Sequence, residues 1–394
     1  MSTPLAVVIA GACRTPLGLF QGALSTLTAP QLGSIAIRAA LERSGIAPTA
    51  VDKVFFGEVL TAGVGQAPAR QAALGAGLPQ SVPCTTVNKV CGSGLEAILL
   101  AAQAIRSGDA DIVVAGGMES MSNAPYLLEK ARTGYRLGHG EIIDSLVRDG
   151  LWDVYNDFHM GNAAELCASE CGISREAQDA FSIESYRKAL AAQKQGAFAD
   201  EIVPVSIHER KGGTRIVDTD EGPALANFDK VPHLKPVFQK DGTITAANAS
   251  SINDGAAACV VLSAARAREL GVTPLGTLVA HGAAAKAPEW FTTAPADAID
   301  KLVESVGLDL DSVDFFEINE AFAVVNLAVA DKLGLDPKKV NVHGGAVALG
   351  HPIGASGSRI LTTLLHALKR HDKKRGIAAI CIGGGEGLAV LVER

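Results

Sequence analysis

At 394 residues, with 48% hydrophobic, 20% charged and 5% aromatic residues, the chain is long enough for two domains and too apolar to be disordered. A net charge of −7 excludes a general nucleic-acid surface, which would be basic, yet leaves room for an anionic small ligand on a local basic patch. No run is apolar enough to span a membrane, and Met1–Arg14 lacks the basic start and cleavage site of a signal peptide. The end, Val392-Glu-Arg394, is not a peroxisomal address, so a cytoplasmic location is expected. Seven irregularly spaced cysteines fit reduced thiols, the plain reading for Cys13, Cys84, Cys167, Cys171 and Cys259.

In chain order, Leu5–Ala10 reads as a strand entering a turn at Gly11. The stretch Leu41–Asp52 reads as a helix end, a Gly45 stop and a turn into the strand Val54–Phe56. Asn88-Lys-Val-Cys-Gly-Ser-Gly94 opens an amphipathic helix on Leu95, Ile98, Leu99 and Ile105. A strand and a glycine pair follow, Ile112-Val-Val-Ala-Gly-Gly117. Residues 120–245 are richer in charge and turns and carry one clear helix, Ser174 to Gln195, with Ser174 as cap and Gly196 as stop.

The first pattern then recurs. Val303–Asp314 repeats Leu41–Asp52, with Gly307 and Val313 matching Gly45 and Val51 at one constant offset, and Phe315–Ile318 repeats the strand. Ala355–Leu361 repeats Gly92–Leu100, Gly357 matching Gly94, and its helix ends in Lys369-Arg-His371 before the strand and glycines of Ile377–Gly384. The repeat implies an α/β fold of two duplicated domains about a pseudo-two-fold axis with an inserted loop domain. The N-terminal domain takes residues 1–119 and 246–271, the inserted domain 120–245 and the C-terminal domain 272–394.

Four places carry chemistry. Cys91 precedes a Gly-x-Gly helix start, where backbone N–H groups and the helix dipole favour thiolate over thiol; a buried structural cysteine is an equal alternative. His351 sits in a glycine-rich loop, Asn341–Gly357, at the repeat position of the Cys91 loop, and Pro352 biases it to an extended conformation. Cys381 ends an apolar strand before Gly383-Gly-Gly385, whose N–H groups could hold an oxyanion. Asn319 and Glu320 follow a buried strand, where sites gather in α/β domains or where the next helix is capped. Dinucleotide binding fails because no capped helix follows the last glycines. A zinc site on Cys91, Cys381 and His351 lacks a Cys-x-x-Cys pair, so no metal is expected.

Together, Val90-Cys-Gly-Ser-Gly94, Asn253-Asp-Gly-Ala-Ala257, Asn319-Glu-Ala-Phe322, Gly350-His-Pro-Ile-Gly354 and Cys381-Ile-Gly-Gly-Gly385 resemble the motifs of the thiolase family, in that family's order and over essentially the whole chain. The resemblance implies Cys91 as acyl-accepting nucleophile, His351 as its base and Cys381 as the acid/base for the second acetyl-CoA. It places a water on Asn319 and His351 at one oxyanion site, and the N–H groups of Cys91 and Gly383 at the other. Phe158-His-Met-Gly161 and Asn248–Asn253 resemble the coenzyme A side of the biosynthetic subgroup. They imply His159 at the thioester, Ser250 at the pantetheine, and Met160, Phe238, Ala321 and Phe322 along the tunnel. Implied partners are acetyl-CoA, acetoacetyl-CoA and CoA as substrates, with no cofactor, nucleic acid or membrane, in a homotetramer or dimer.

Three departures stand out: Phe291 where short-chain members often carry Met on the acyl-pocket loop, no Arg after Asp218–Glu221, and His343 for a common Asn. The expected reaction joins two acetyl-CoA to acetoacetyl-CoA by a ping-pong route. A degradative thiolase of longer chains and a non-catalytic CoA- or lipid-binding homologue are the alternatives.

Overall fold

The computed structural model describes residues 5–209 and 212–394, so the first four residues of the N-terminal stretch lie outside it. Nine strands carry the architecture: β1 (Val7–Arg14), β2 (Lys53–Gly57), β3 (Cys84–Val87), β4 (Ile112–Ser120), β5 (Asn253–Ser263), β6 (Gly276–Ala285), β7 (Phe315–Ile318), β8 (Arg375–Ile382) and β9 (Glu386–Glu393). They form one mixed sheet in the order β7-β8-β9-β6-β1-β5-β4-β2-β3, with the short strand Gly18–Leu19 pairing β5. The helices are α1 (Ala29–Ser44), α2 (Pro68–Gly75), α3 (Ser93–Arg106), α4 (Met160–Glu170), α5 (Arg175–Lys194), α6 (Ala264–Leu270), α7 (Ala294–Val306), α8 (Ala323–Leu333), α9 (Ala346–Leu349) and α10 (Ile353–Arg370).

The sheet reads the same outward from its centre. On one side β1, β5 and β4 are antiparallel neighbours, and β4, β2 and β3 run parallel. On the other, β6, β9 and β8 are antiparallel, β8 and β7 run parallel, and Val340 adds a parallel bridge to β7. The halves meet where β1 pairs β6 antiparallel, Val7 opposite Leu278. This is the repeat in three dimensions, two copies of one unit about a pseudo-two-fold axis.

Strand alternation sorts side chains into three cores. Val8, Ala10, Val114, Val260 and Leu262 pack outward on α1 and α2. Ile377, Ala379, Cys381, Ala389 and Leu391 pack outward on α7 and α8 in the other half. Val7, Ile9, Val113, Val261, Ala378, Ile380 and Val390 point inward onto α3 and α10. Those two helices are sandwiched between the half-sheets, and α10 is buried from Ile353 to Leu368. The matched glycines are their crossing point. A Cβ on Gly357 would meet Leu95 N at 2.5 Å, and one on Gly94 would meet Ser358 N at 2.9 Å. Only glycine lets these backbones touch.

Two expectations for glycine need correction. Gly11 is not a turn; β1 runs through it as a bulge at φ +61°, and its Cβ would strike Ala40 O at 2.2 Å. Gly116 and Gly117 do not end β4, which continues to Ser120. A Cβ on Gly117 would meet Gly354 O at 2.1 Å, so this glycine admits the start of α10 against the sheet. The helix expected at Ser174–Gln195 is α5, with Ser174 Oγ accepting from Ala177 N–H at 3.2 Å and Gly196 at φ +64° beyond its end.

Candidate active site

Cys91 and His351 each stand two residues before a central helix, α3 and α10. The duplication therefore brings them to one end of the helix pair. There they line a cavity of about 640 Å³ together with Gly383.

The cysteine loop is held under strain. Val90 has φ +46°, a left-handed conformation that costs a β-branched residue roughly 1–3 kcal/mol. Local bonds offset that cost. Val90 N–H donates to Asn88 Oδ1 at 3.0 Å, Lys89 N–H to Ser93 Oγ at 2.8 Å, and Ser93 Oγ to Val90 O at 2.7 Å. Gly92 lets the Ile382 side chain close on the loop, since a Cβ there would meet its terminal methyl at 2.5 Å. The Cys91 and Gly383 N–H groups lower the Cys91 pKa, but burial raises it more, to about 11. This corrects the thiolate expected from the helix start. Desolvation outweighs the local dipole, so the resting group is a thiol and needs a base.

His351 has the state of such a base. Its N–H donates to Asn253 Oδ1 at 3.0 Å. Its Nδ1 lies 2.5 Å from Ser356 Oγ, and the Ser356 hydroxyl donates to Pro352 O at 2.8 Å. The single hydroxyl proton is thus committed, so Nδ1 must be the donor in the ring–serine bond. That leaves Nε2 with a free lone pair, and Nε2 is buried without a protein partner. Burial, helped by the nearby Arg359 charge, lowers the pKa to about 3, so the ring is neutral at pH 7.

Cys381 and Asn319 lie directly behind the cavity lining, each two residues from a member of it, Gly383 and Ala321. Cys381 is fully buried at the end of β8, its pKa pushed up by burial and by Cys91, against N–H groups of its own residue and Ala321. Asn319 is fully buried, and neither polar atom of its side chain has a protein partner. Glu320 does not cap α8. It accepts from Asn341 Nδ2 and Ser185 Oγ, both at 2.7 Å, and from Val347 N–H at 3.1 Å.

The remaining candidates line the same cavity. His159 caps α4, Nδ1 accepting from Gly161 N–H at 3.0 Å, so a neutral ring carries its proton on Nε2; burial lowers its pKa. The ring stacks on Phe238 with centroids 4.7 Å apart. Gly161 makes room for that phenyl, which its Cβ would strike at 2.2 Å. Phe238 and Phe291 each meet Phe322 edge-on at 6.4 Å, and Met160 joins the same core. Ser250 and Ala321 are tied by a Ser250 N–H to Ala321 O bond of 2.9 Å, and both line the cavity. His343 faces away, its Nε2 3.2 Å from that of His371.

Three supporting residues were given no role by the sequence reading. Ser356 and Asn253 hold His351. Glu119 is fully buried and accepts N–H bonds from Val59 and Leu60 at 3.1 Å and from Gly354 at 2.8 Å, locking the loop after β2 to the start of α10. A buried carboxylate with three backbone donors could have been suspected only from Glu119 interrupting an apolar strand. Among the described residues, no three His, Cys, Asp or Glu side chains are grouped to hold a metal, and no helix is long and apolar enough to cross a membrane.

The comparisons agree with this architecture. The family description Thiolase, N-terminal domain, matches residues 7–265, and Thiolase, C-terminal domain, matches residues 272–394. An acetyl-CoA acetyltransferase of Cupriavidus necator is 55% identical over 389 residues, 98% of this chain and 99% of the relative. Acetyl-CoA acetyltransferase 1 of Arabidopsis thaliana is 55% identical over 99% of this chain and 94% of its own. The crystal structure of the Bacillus anthracis acetyl-CoA acetyltransferase superposes with a TM-score of 0.97 at 42% identity, covering all of both chains. The chain belongs to the thiolase family.

Proposed function

We propose that this chain is an acetyl-CoA C-acetyltransferase, condensing two acetyl-CoA to acetoacetyl-CoA and CoA, reversibly, through an acetyl-cysteine. One observation carries the residue roles: a neutral imidazole with its Nε2 lone pair free and a cysteine thiol flanked by two N–H groups line one apolar cavity. Relatives named acetyl-CoA acetyltransferase at 55% identity over nearly the whole chain support the substrate.

In this reading His351 Nε2 takes the Cys91 proton as sulfur attacks the thioester carbonyl. The tetrahedral oxyanion is met by N–H groups of Cys91 and Gly383, and CoA leaves as a thiol. In the second half the Cys381 proton passes to His351 Nε2, the Cys381 thiolate removes the α-proton of a second acetyl-CoA, and the enolate oxygen accepts from His351 Nε2–H and from a water on Asn319. Losing one such oxyanion donor typically costs about 3–4 kcal/mol. His159 Nε2–H is free to donate towards the thioester or pantetheine, and Ser250 contacts the pantetheine. The aromatic wall of Phe238, Phe291 and Phe322 with Met160 limits the acyl chain. Coenzyme A thioesters are substrates here, and the chemistry requires no resident cofactor.

Self-association into a homotetramer or dimer is supported by apolar side chains exposed on the inserted segment, among them Tyr126 at 65%, Leu137 at 100% and Ile142 at 66%. Light scattering that gives a monomer at working concentration would remove that assignment. The test of the activity is intact-protein mass spectrometry after mixing with acetyl-CoA. One acetyl group mapped to Cys91 is the expected result; CoA binding without an adduct would favour a non-catalytic homologue.

A further inference from the structure

The carboxyl end of α4 carries two thiols that acyl transfer does not use. Cys167 is buried, whereas Cys171 caps the helix and is exposed. Their Sγ atoms lie 3.9 Å apart, and Cys171 N–H donates to Cys167 O at 2.9 Å, one turn back on the same face. Residues one turn apart have Cβ atoms roughly 5–6 Å from each other, and a disulfide draws them to about 3.5–4.5 Å. Closure therefore requires the last turn to tighten. This is the turn best able to do so, because Gly172 follows at φ +64° with nothing within 4 Å of the position a Cβ would take.

The buried member of the pair reaches the cavity wall. Cys167 packs in one core with Met160, Phe291 and Phe322. The other end of α4 begins with His159 and Met160, which face the same cavity.

We propose that Cys167 and Cys171 are a reversible disulfide site, closed by a peroxide, that displaces the acyl-pocket wall when it forms. Cys171, the exposed thiol, attacks the peroxide first. Its sulfur bonds to one oxygen, the O–O bond breaks, and an alcohol or water leaves with the thiol proton. The Cys167 sulfur then attacks the resulting sulfenic acid. The S–O bond breaks, and the departing hydroxide takes the Cys167 proton as water. Two thiols give up two electrons to one peroxide. Cys167 shifts within the core it shares with Met160, Phe291 and Phe322, and α4 is drawn at its far end.

The effect on turnover rests on the acyl-transfer reading, while the bond itself does not. The full-length protein is treated with hydrogen peroxide, alkylated with iodoacetamide and digested with trypsin, which releases both thiols in the single peptide 149–175. The expected product is that peptide lighter by two hydrogens and unalkylated, restored by dithiothreitol. Turnover should fall and recover in step, and the recoverable part should vanish in Cys171→Ser. Full alkylation of both thiols after Cys91 has already oxidised would overturn the site. A disulfide that forms without changing turnover would overturn the coupling to the wall. Absence of turnover before any oxidation would count against the acyl-transfer reading alone, since the mapping still decides the bond.

Discussion

Ser356→Ala isolates the step that makes His351 a base. The serine is fully buried and is the side-chain partner of Nδ1, at 2.5 Å, while its own proton is spent on Pro352 O. Without it the ring has two options. The proton can move to Nε2, which leaves no lone pair facing the cavity. Otherwise it stays on Nδ1 with no acceptor, and the imidazolium formed as Cys91 attacks loses its charge-assisted bond. Such a bond to a charged group contributes about 1.5–3 kcal/mol, which is roughly 10- to 150-fold in rate at about 1.36 kcal/mol per decade. The assay is the single-turnover rate of acetyl transfer from acetyl-CoA to Cys91, followed by rapid quench and intact mass, with Tm measured alongside to separate loss of fold. The expected result is a slower acylation with little change in acetyl-CoA binding. Acylation at the wild-type rate in a folded Ser356→Ala protein would refute the tautomer argument.

Four further outcomes follow from the same geometry. Because burial holds His351 near 3, acylation should stay flat from about pH 7 down to about pH 5; an acid limb centred near the usual ~6.5 would identify a more exposed base. Cys381→Ser should leave acetylation of Cys91 intact and abolish condensation, and equal survival of both half-reactions would show that the second acid/base lies elsewhere. Phe291→Ala should raise the relative kcat/KM for longer 3-ketoacyl-CoA chains, because Phe291 is buried edge-on to Phe322 in the wall; an unchanged chain-length series would remove it from the specificity wall. Glu58 is fully buried, both its oxygens lack partners, and burial beside Glu119 raises its pKa to about 9. The folded state therefore keeps a proton that the unfolded state releases above about pH 4.5, and stability contributed by this group falls as pH rises towards 9, by up to about 1.4 kcal/mol per pH unit. Glu58→Gln should flatten that fall in Tm between about pH 6 and pH 9, and an equal slope in both proteins would place the titration elsewhere.

What the sequence discloses here depends on how far a residue's partners lie along the chain. The duplicated helix starts are local, and they locate Cys91 and His351 at corresponding positions without any knowledge of the fold. Gly94 and Gly357 match for a reason the sequence cannot express: each removes a Cβ from the other helix's path. Gly116 and Gly117 look identical to a turn, because a glycine that permits φ > 0 and a glycine that permits contact leave the same letter. The ionisation of Cys91 fails for a related reason. The helix start that favours the thiolate is visible in the seven residues Asn88–Gly94, whereas the burial that outweighs it also draws on the loop at 383, in the far half of the chain. Ser356 is the borderline case. Its partners are four and five residues away, so the contact is local, yet only the committed hydroxyl proton turns a common helix serine into the group that decides which nitrogen of His351 is basic. Glu119 and Asn253 lie 235 and 98 positions from the backbone groups they fix, so even the motif that contains Asn253 does not say what it holds. That Cys91 and His351 stand at matching helix starts was therefore readable from motif and repeat, while their protonation states belong to the packed structure, where desolvation and hydrogen-bond direction outweigh local dipoles.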